Sequence, residues 1–315
     1  MKKLILTALA AAALAGCNRT PEYYFGRGNY LQGVGKEPEA MENYNKALLL
    51  KKRFPEALVS RGLLFERLGD RQKAGMDYRK AIEMDPAYLP AYNNLGAMLM
   101  DGGNYQEAVK LFTDALESKP DYAYALLNRG LAEYKLGDCG SSTADLSRAL
   151  SLNPKFEMAY YHRALCARKA ANFPAAVADL DALLALNPAA ALARFERGKN
   201  LYHMNDYAGA SQHFAKAAEL KPEDPAYVYW LALALYKAAD LDGALKSAGK
   251  AASLKPDSFQ AQGLLGDICA ARGDKDGAAA AYARAAELSP KFAGFYRSRL
   301  AALSGPAPRK KKTRK

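Results

Sequence analysis

The stretch LPAYNNLGAMLMDGGNYQEAVKLFTDALESKPDY, residues 89–122, decides the fold of this chain. Gly103 suits the left-handed residue that closes a first helix, and Asn104 can cap the free N–H groups of a second. Pro120 ends that second helix, because proline cannot continue one. The stretch therefore predicts one unit of helix, tight turn and helix.

The same unit recurs along the chain at an identical interval. Seven prolines are spaced by 34 residues, namely Pro86, Pro120, Pro154, Pro188, Pro222, Pro256 and Pro290. With each proline at position 32, eight units follow: 21–54, 55–88, 89–122, 123–156, 157–190, 191–224, 225–258 and 259–292. Repetition at a fixed period of this length indicates a repeat array.

Two columns of the repeat predict how its helices pack. Position 8 is always small: Gly28, Gly62, Gly96, Gly130, Ala164, Gly198, Ala232 and Gly266. Position 24 is mostly large: Tyr44, Tyr78, Phe112, Leu146, Leu180, Phe214, Ala248 and Tyr282. Small residues let the two helices of a unit approach closely, and the large side chain fills the space beside that contact. Position 16 is Asp or Asn in all units but the first, which predicts a cap on each second helix.

This pattern resembles the tetratricopeptide repeat (TPR) family over residues 21–292. The resemblance implies an all-α fold, a right-handed superhelical solenoid of eight helix–turn–helix repeats with a concave surface. Apolar residues at near-helical spacing predict a capping helix over 291–303. Residues 304–315 combine a Gly-Pro-Ala-Pro linker with a basic run too polar to fold alone, which predicts a disordered basic tail.

The first sixteen residues have the order of a secretory signal peptide, with Lys2 and Lys3 before a short apolar run. The Leu-Ala-Gly that precedes Cys17 resembles the lipobox of bacterial lipoproteins, which implies cleavage before Cys17 and lipidation of its thiol and amine. Residues 17–20 then form a short tether. The alternative is an ordinary signal with a chance cysteine. Asn18 resembles an outer-membrane sorting signal, so we predict an outer-membrane lipoprotein facing the periplasm, with the inner membrane left open.

The remaining cysteines and the net charge say less about function. Cys139, Cys166 and Cys269 have the spacing of neither a disulfide framework nor a metal site. Buried single thiols are expected, with a bridge between Cys139 and Cys166 as the alternative. Six charges of the net +12 lie within 309–315, so the basic composition is weak evidence for nucleic acid. That run could meet anionic lipid, cell-wall polymer or only solvent.

In the resembled family, positions 2, 5, 9, 12 and 13 of the first helices line a concave groove that binds polypeptides. Aromatic and cationic side chains recur at these positions, which favours a partner protein or peptide with carboxylates and apolar side chains. Asn at position 6 belongs to a co-chaperone clamp in that family, but the clamp's Lys is replaced by Phe25. The candidate groove residues are Phe25, Arg67, Asn94, Asn128, Tyr134, Lys135, Tyr161, Arg168, Lys169, Phe195, Tyr202, His203, Tyr229, Trp230, Tyr236 and Lys237.

Two alternatives stay open for this groove. Lys and Arg at position 13 lie in the last turn of a helix, where they favour the helix dipole without any ligand. Trp230 could be a core residue rather than an anchor for a partner. The sequence does not decide between these alternatives.

No catalytic or cofactor motif is evident. The three histidines lack metal-ligand spacing, and Gly35-Lys36 lacks the flanking residues of a phosphate loop. We therefore expect no enzyme activity and no cofactor. The predicted function is a membrane-anchored scaffold or adaptor in the bacterial cell envelope; the alternative is a glycan-binding or enzyme-associated envelope protein that uses its basic tail.

Overall fold

The computed structural model describes residues 19–303, and every regular element within this range is an α-helix. The helices are α1 Pro21–Gly33, α2 Glu37–Leu50, α3 Pro55–Arg67, α4 Arg71–Met84, α5 Leu89–Asp101, α6 Tyr105–Ser118, α7 Ala123–Leu136, α8 Cys139–Leu152, α9 Glu157–Lys169, α10 Phe173–Leu186, α11 Ala191–His203, α12 Tyr207–Leu220, α13 Pro225–Lys237, α14 Leu241–Leu254, α15 Phe259–Arg272, α16 Lys275–Leu288 and α17 Ala293–Leu303. The all-α fold of helix–turn–helix repeats is confirmed. The predicted signal peptide, Cys17 and the predicted basic tail 304–315 lie outside the described residues.

The turn inside each repeat has the same backbone geometry. Position 15 has positive φ in all eight repeats, as the glycines there predicted for five of them: Gly35, Gly69, Gly103, Gly137 and Gly273. The other three are Ala171 (φ 57°), Asn205 (φ 63°) and Ala239 (φ 64°). Asparagine adopts this region readily, whereas alanine does not, so the turns at Ala171 and Ala239 carry backbone strain.

The residue after that turn caps the second helix, as predicted. The side chain of position 16 accepts a backbone N–H of the first turn in six repeats: Asp70, Asp138, Asn172, Asp206, Asp240 and Asp274. Asn104 differs, because its side chain makes no cap hydrogen bond. Lys36 at the same position of repeat 1 makes none either.

The predicted contact between positions 8 and 24 is present. A Cβ added to Gly96 would lie 2.2 Å from Cζ of the fully buried Phe112 ring. At Gly62 the same atom would lie 2.5 Å from Cε1 of Tyr78. Where position 8 is alanine, at Ala164 and Ala232, position 24 is Leu180 and Ala248 instead of an aromatic residue. The two columns therefore compensate each other in volume.

The chain divides into two compact units, which we call unit 1 (residues 1–159) and unit 2 (residues 160–315). The core of unit 1 centres on Tyr44, Tyr78 and Phe112, whose side chains are fully buried. The core of unit 2 includes Phe214 and Tyr282, and its last helix, α17, packs on α16 through Tyr296. Each unit buries its own apolar residues.

Arginine–aspartate pairs join the two helices within several repeats, from position 7 to position 23. In repeat 2, Nε and Nη2 of Arg61 donate to the two carboxylate oxygens of Asp77, at 2.8 and 2.7 Å. Repeats 4 and 5 hold the equivalent pairs Arg129–Asp145 and Arg163–Asp179. These pairs are partly shielded from water, so each partner depends on the other.

Two titratable side chains at or beside these positions, Glu133 and His213, are partly buried, and each has one buried atom without a hydrogen-bond partner. In repeat 4 of unit 1, burial and the nearby Asp145 raise the pKa of Glu133 to about 7, and its Oε2 lacks a hydrogen-bond partner. In repeat 6 of unit 2, His213 replaces the aspartate and contacts Arg197. Burial and the charge of Arg197 lower the pKa of His213 to about 4.

The cysteines partly correct the sequence expectation. Cys139 and Cys166 are each in the disulfide-bonded state, so single thiols were the wrong expectation for these two. Cys269 is a free, buried thiol, as expected, and burial raises its pKa.

Candidate binding surface

The first helices of unit 2 present a face made of aromatic and cationic side chains. Positions 2, 5, 9, 12 and 13 of these helices contain no Asp or Glu within residues 160–258. The cations on this face are Arg168, Lys169, Lys199 and Lys237. We call these positions of α9, α11 and α13 in unit 2 the aromatic–cationic face.

The cationic row predicted at position 13 is solvent-exposed. Lys135, Lys169, His203 and Lys237 are all exposed at the ends of their helices. The ring of His203 stacks on Phe173 with centroids 5.2 Å apart. These side chains can therefore reach an anionic group on a partner.

Arg67 belongs to the same row but is already paired. Its guanidinium donates to Glu37, with Nε 2.8 Å from Oε1. This neighbour neutralises the one cation of the row in repeat 2.

The aromatic residues at position 12 are half-buried rather than free. Tyr202 meets Trp230 edge-on at 5.5 Å and Tyr207 at 5.1 Å, and burial raises the pKa of its hydroxyl. Tyr134 and Tyr236 are half-buried as well. Each ring is held by its neighbours and keeps one part open to solvent, as interface tyrosines commonly are.

Phe195 lies in the core, contrary to the expectation for a groove residue at position 5. Only 8 % of it is exposed, and its ring lies 4.6 Å from Tyr227 and 5.6 Å from Phe214. Tyr227 stands at position 3, where most repeats have alanine, and it covers the Phe195 ring. The other aromatic candidates at position 5 are half-buried, namely Phe25, Tyr161 and Tyr229.

Trp230 joins that aromatic cluster. Its indole lies 5.7 Å from Phe214 and 6.3 Å from Phe195, and the side chain is half-buried. Packing explains its position, which favours the core alternative. The edge that stays open adds to the aromatic–cationic face.

A buried carboxylate, which sequence reasoning missed, organises the centre of this face. Glu196 on α11 is 6 % exposed. Its Oε1 lies 3.0 Å from Lys199 Nζ, and its Oε2 lies 3.4 Å from Arg168 Nε. Lys199 also lies 5.4 Å from the Phe195 ring centroid. The sequence signal was Lys199 at position 9, where Leu63, Leu131, Leu165 and Leu233 stand in other repeats.

Tyr229 borders a small cavity next to this face. The cavity measures about 240 Å³ and is lined by Pro225, Tyr229, Lys255, Ser258 and Gln260 among others. Burial raises the pKa of the Tyr229 hydroxyl. The cavity has room for one side chain and offers several polar groups at its edge.

Unit 1 has a different first-helix face. Positions 2, 5, 9, 12 and 13 there carry the carboxylates Glu22, Glu56, Glu66 and Asp101. Asn94 and Asn128 are half-buried, and the Asn128 amide donates to Asn93 Oδ1 at 2.8 Å. The asparagines thus form an amide contact between adjacent repeats, without the cations of the co-chaperone clamp.

Family models of the tetratricopeptide repeat match residues 55–88 and, in overlapping pairs of repeats, residues 93–154, 127–188, 163–225, 195–258 and 229–291. The chain is a TPR protein. A model of the prokaryotic membrane lipoprotein lipid attachment site matches residues 1–18. TPR repeats form protein–protein interaction scaffolds, and the attachment site suggests membrane anchoring.

Solved TPR structures share this fold at low sequence identity. A tetratricopeptide repeat protein from Parabacteroides merdae is 23 % identical, with a TM-score of 0.54 over 80 % of this chain and 99 % of that one. PilF of Pseudomonas aeruginosa is 21 % identical, with a TM-score of 0.57 over 66 % and 95 %. YrrB, described as a TPR protein with an unusual peptide-binding site, is 22 % identical, with a TM-score of 0.50 over 57 % and 92 %. No curated protein matches this chain.

Within 19–303 no helix is both long enough and apolar enough to cross a bilayer. The same residues contain no group of three or more His, Cys, Asp or Glu side chains that could hold a metal ion.

Proposed function

We propose that this TPR protein is a membrane-anchored adaptor of the bacterial cell envelope that binds a polypeptide on the aromatic–cationic face of unit 2. The observation that carries the proposal is the charge of that face. Glu196, the carboxylate at its centre, is buried and paired with Arg168 and Lys199, and Asp267 on the next first helix, α15, pairs with Arg299. Positions 2, 5, 9, 12 and 13 of α9, α11 and α13 carry Lys and Arg but no Asp or Glu, so the face is positively charged.

The chemistry of the face indicates the class of partner. Partly open rings of Tyr202, Trp230 and Tyr236 offer apolar contact at low conformational cost, and such residues dominate binding energies at interfaces. The cations select for carboxylates and speed association through long-range attraction. A segment with alternating acidic and apolar side chains satisfies both features.

The anchor determines where this binding takes place. Acyl chains on Cys17 would hold the repeats at a membrane surface, which raises the local concentration of the adaptor for membrane-bound partners. We propose the outer membrane, facing the periplasm, on the basis of Asn18 beside the lipidated cysteine. Replacing Cys17 with Ser should release the protein from the membrane fraction.

The test of the binding face is a capture experiment from envelope extracts. The variant Lys169→Glu/Lys237→Glu reverses two charges on the face. The control Lys246→Glu/Lys250→Glu makes the same change in net charge at exposed sites on α14, a second helix of unit 2. We expect the first variant to lose its partners by about tenfold or more in affinity, equivalent to about 1.4 kcal/mol, while the control keeps them.

Two results would contradict the proposal. Equal loss in both variants would indicate a general charge effect, and full retention in both would remove the face from binding. Capture of glycan with no protein partner would favour the alternative function, a glycan-binding protein that uses its basic tail.

A further inference from the structure

The first helix exposes a face that is covered in every later repeat. At position 3, Tyr23 is 40 % exposed, whereas the later repeats bury this position: Ala57, Ala91, Ala125, Ala159, Ala193, Tyr227 and Ala261. At position 10, Tyr30 is 69 % exposed, whereas this position is buried in six later repeats and partly buried at Met98. Among residues 19–303, no helix packs over these two tyrosines.

The exposed side chains form one stripe along α1. Tyr23, Arg27, Tyr30 and the following Val34 are spaced by four, three and four residues, which places them on the same side of a helix. Arg27 donates to the Tyr23 hydroxyl at 3.3 Å, and the Arg19 guanidinium lies 5.0 Å from the ring centroid of Tyr23. We call Tyr23, Arg27, Tyr30 and Val34 the α1 stripe.

The stripe contains one cation, Arg27, and no carboxylate, and a second cation, Arg19, lies beside it over the Tyr23 ring. The acidic residue nearest in sequence, Glu22, pairs with Lys51 of the loop after α2, at 3.1 Å. Arg19 and Arg27 are both exposed, and the stripe offers no carboxylate to pair with them. The stripe is thus both aromatic and positively charged.

The sequence distance to the lipid attachment site limits where this stripe can be. Cys17 lies four residues before Pro21, the first residue of α1. Even a fully extended chain of that length spans only about 14 Å. A lipidated Cys17 would keep the start of α1 within that distance of the headgroups, which is close enough for direct contact.

We propose that the α1 stripe docks on the phospholipid headgroup layer that holds the acyl chains of Cys17. This inference rests on the membrane anchoring included in the proposed function. Tyrosine rings favour the interface between headgroups and acyl chains, and arginine forms strong paired hydrogen bonds with phosphate. Such contacts are weak individually, but the anchor supplies the stripe at high local concentration.

The consequence is a fixed orientation of repeat 1 on the membrane. A flexible tether alone would let the repeats rotate freely above the surface. A docked stripe would instead hold α1 against the headgroups.

A depth-sensitive fluorescence experiment tests the docking. The full lipidated chain, as wild type and as Tyr30→Trp, is reconstituted into phosphatidylethanolamine–phosphatidylglycerol vesicles that carry brominated acyl chains. Wild type, in which Trp230 is the only tryptophan, gives the baseline. Tyr124→Trp is the matched control, because Tyr124 is also exposed, in repeat 4 of unit 1. We expect bromine to quench the emission added at residue 30 and to leave the emission added at residue 124 unchanged.

Other outcomes overturn the inference. No quenching at residue 30, or equal quenching at both positions, would exclude docking through the stripe. Flotation of the vesicles separates this failure from failure of the anchor, because a chain that does not float with them has lost the anchoring itself.

A second copy of the chain is the competing occupant of the stripe. Sedimentation of the Cys17→Ser chain, with and without Tyr30→Glu, tests for it. We expect a monomer in both cases. A dimer that the substitution abolishes would assign the stripe to self-association and overturn membrane docking.

Discussion

Unit 1 and unit 2 are built from the same repeat but differ in how closely they follow it. The positive-φ residue of the turn is glycine in all four repeats of unit 1, whereas unit 2 uses Ala171, Asn205 and Ala239 as well as Gly273. The first-helix face differs in the same way, being rich in carboxylates and amides in unit 1 and aromatic and cationic in unit 2.

The two units also differ in how positions 8 and 24 pack against each other. Repeats 1–3 of unit 1 each seat a buried aromatic ring on a glycine, as Phe112 does on Gly96. Repeats 5 and 7 of unit 2 replace that pair by smaller combinations, as in Ala232 and Ala248. Unit 2 departs from the regular repeat and also carries the proposed binding face. Natural proteins commonly break their own structural rules near functional sites.

The largest expected effect is loss of the aromatic ring in unit 1. Phe112→Ala places alanine at position 24, as at Ala248 of unit 2. In unit 1, however, the residue at position 8 is Gly96, which has no side chain to fill the space left by the ring. We expect the free energy of unfolding to fall by about 3–5 kcal/mol, the usual cost of truncating a buried phenylalanine. Urea unfolding measures it, with the exposed Met76→Ala as control. A loss below about 1 kcal/mol would contradict the proposed packing role.

Alanine in place of glycine should have opposite effects in the two units. In Gly96→Ala the new Cβ meets the Phe112 ring, so we expect a loss of about 1–3 kcal/mol from overpacking. In Gly249→Ala on α14 the new Cβ meets no atom within 4 Å, so higher helix propensity should add up to about 1 kcal/mol. Urea unfolding of both variants checks the signs, and equal signs would contradict this comparison.

The two units should also respond oppositely to pH. Glu133 has a folded pKa of about 7, above its ordinary value, so its contribution is lost as the pH rises from about 4.5 to 7. His213 has a folded pKa of about 4, below its ordinary value, so its contribution is lost as the pH falls from about 6.5 to 4. Each effect is on the order of 1–2 kcal/mol.

Neutral substitutions isolate these two effects. Unfolding at pH 5 and pH 7 should show that Glu133→Gln gains stability relative to wild type mainly at pH 7. His213→Gln should gain stability relative to wild type mainly at pH 5. Identical pH dependence in wild type and both variants would show that neither group is linked to folding.

The smallest expected effect is relief of strain in the turns of unit 2. Ala171→Gly and Ala239→Gly should each stabilise the protein by about 0.5–1 kcal/mol, because glycine adopts positive φ without steric cost. Gly69→Ala in unit 1 is the reverse substitution at the same position and should destabilise. Melting temperatures measure all three variants, and a loss on Ala171→Gly would exclude strain at that turn.

Much of the fold could be predicted because its contacts are local. Positions 8 and 24 lie within one repeat, so the pairing of Gly62 with Tyr78 follows from the column pattern alone. The caps at position 16 follow for the same reason. Asn104 has the right residue type but no cap hydrogen bond, so residue type alone did not determine the geometry.

The candidate surface was less predictable because it depends on neighbouring repeats. Phe195 fits the groove column, but Tyr227 of the next repeat covers it. Glu196, which pairs with Lys199 of its own helix, also meets Arg168 of the preceding repeat, a contact that no single repeat reveals. Column patterns describe what each repeat has in common, whereas the surface is formed by the residues that differ.

The packing of each helix mainly on its neighbours has a consequence for how order spreads through each unit. Within each unit, helices pack mainly against the next helix along the chain and, more sparsely, against the one after. A ligand that rigidifies one repeat can therefore stabilise its neighbours directly and more distant repeats only through them. Occupancy of repeats 6 and 7 would slow the opening of these two repeats first, and the protection would decay step by step through the rest of unit 2.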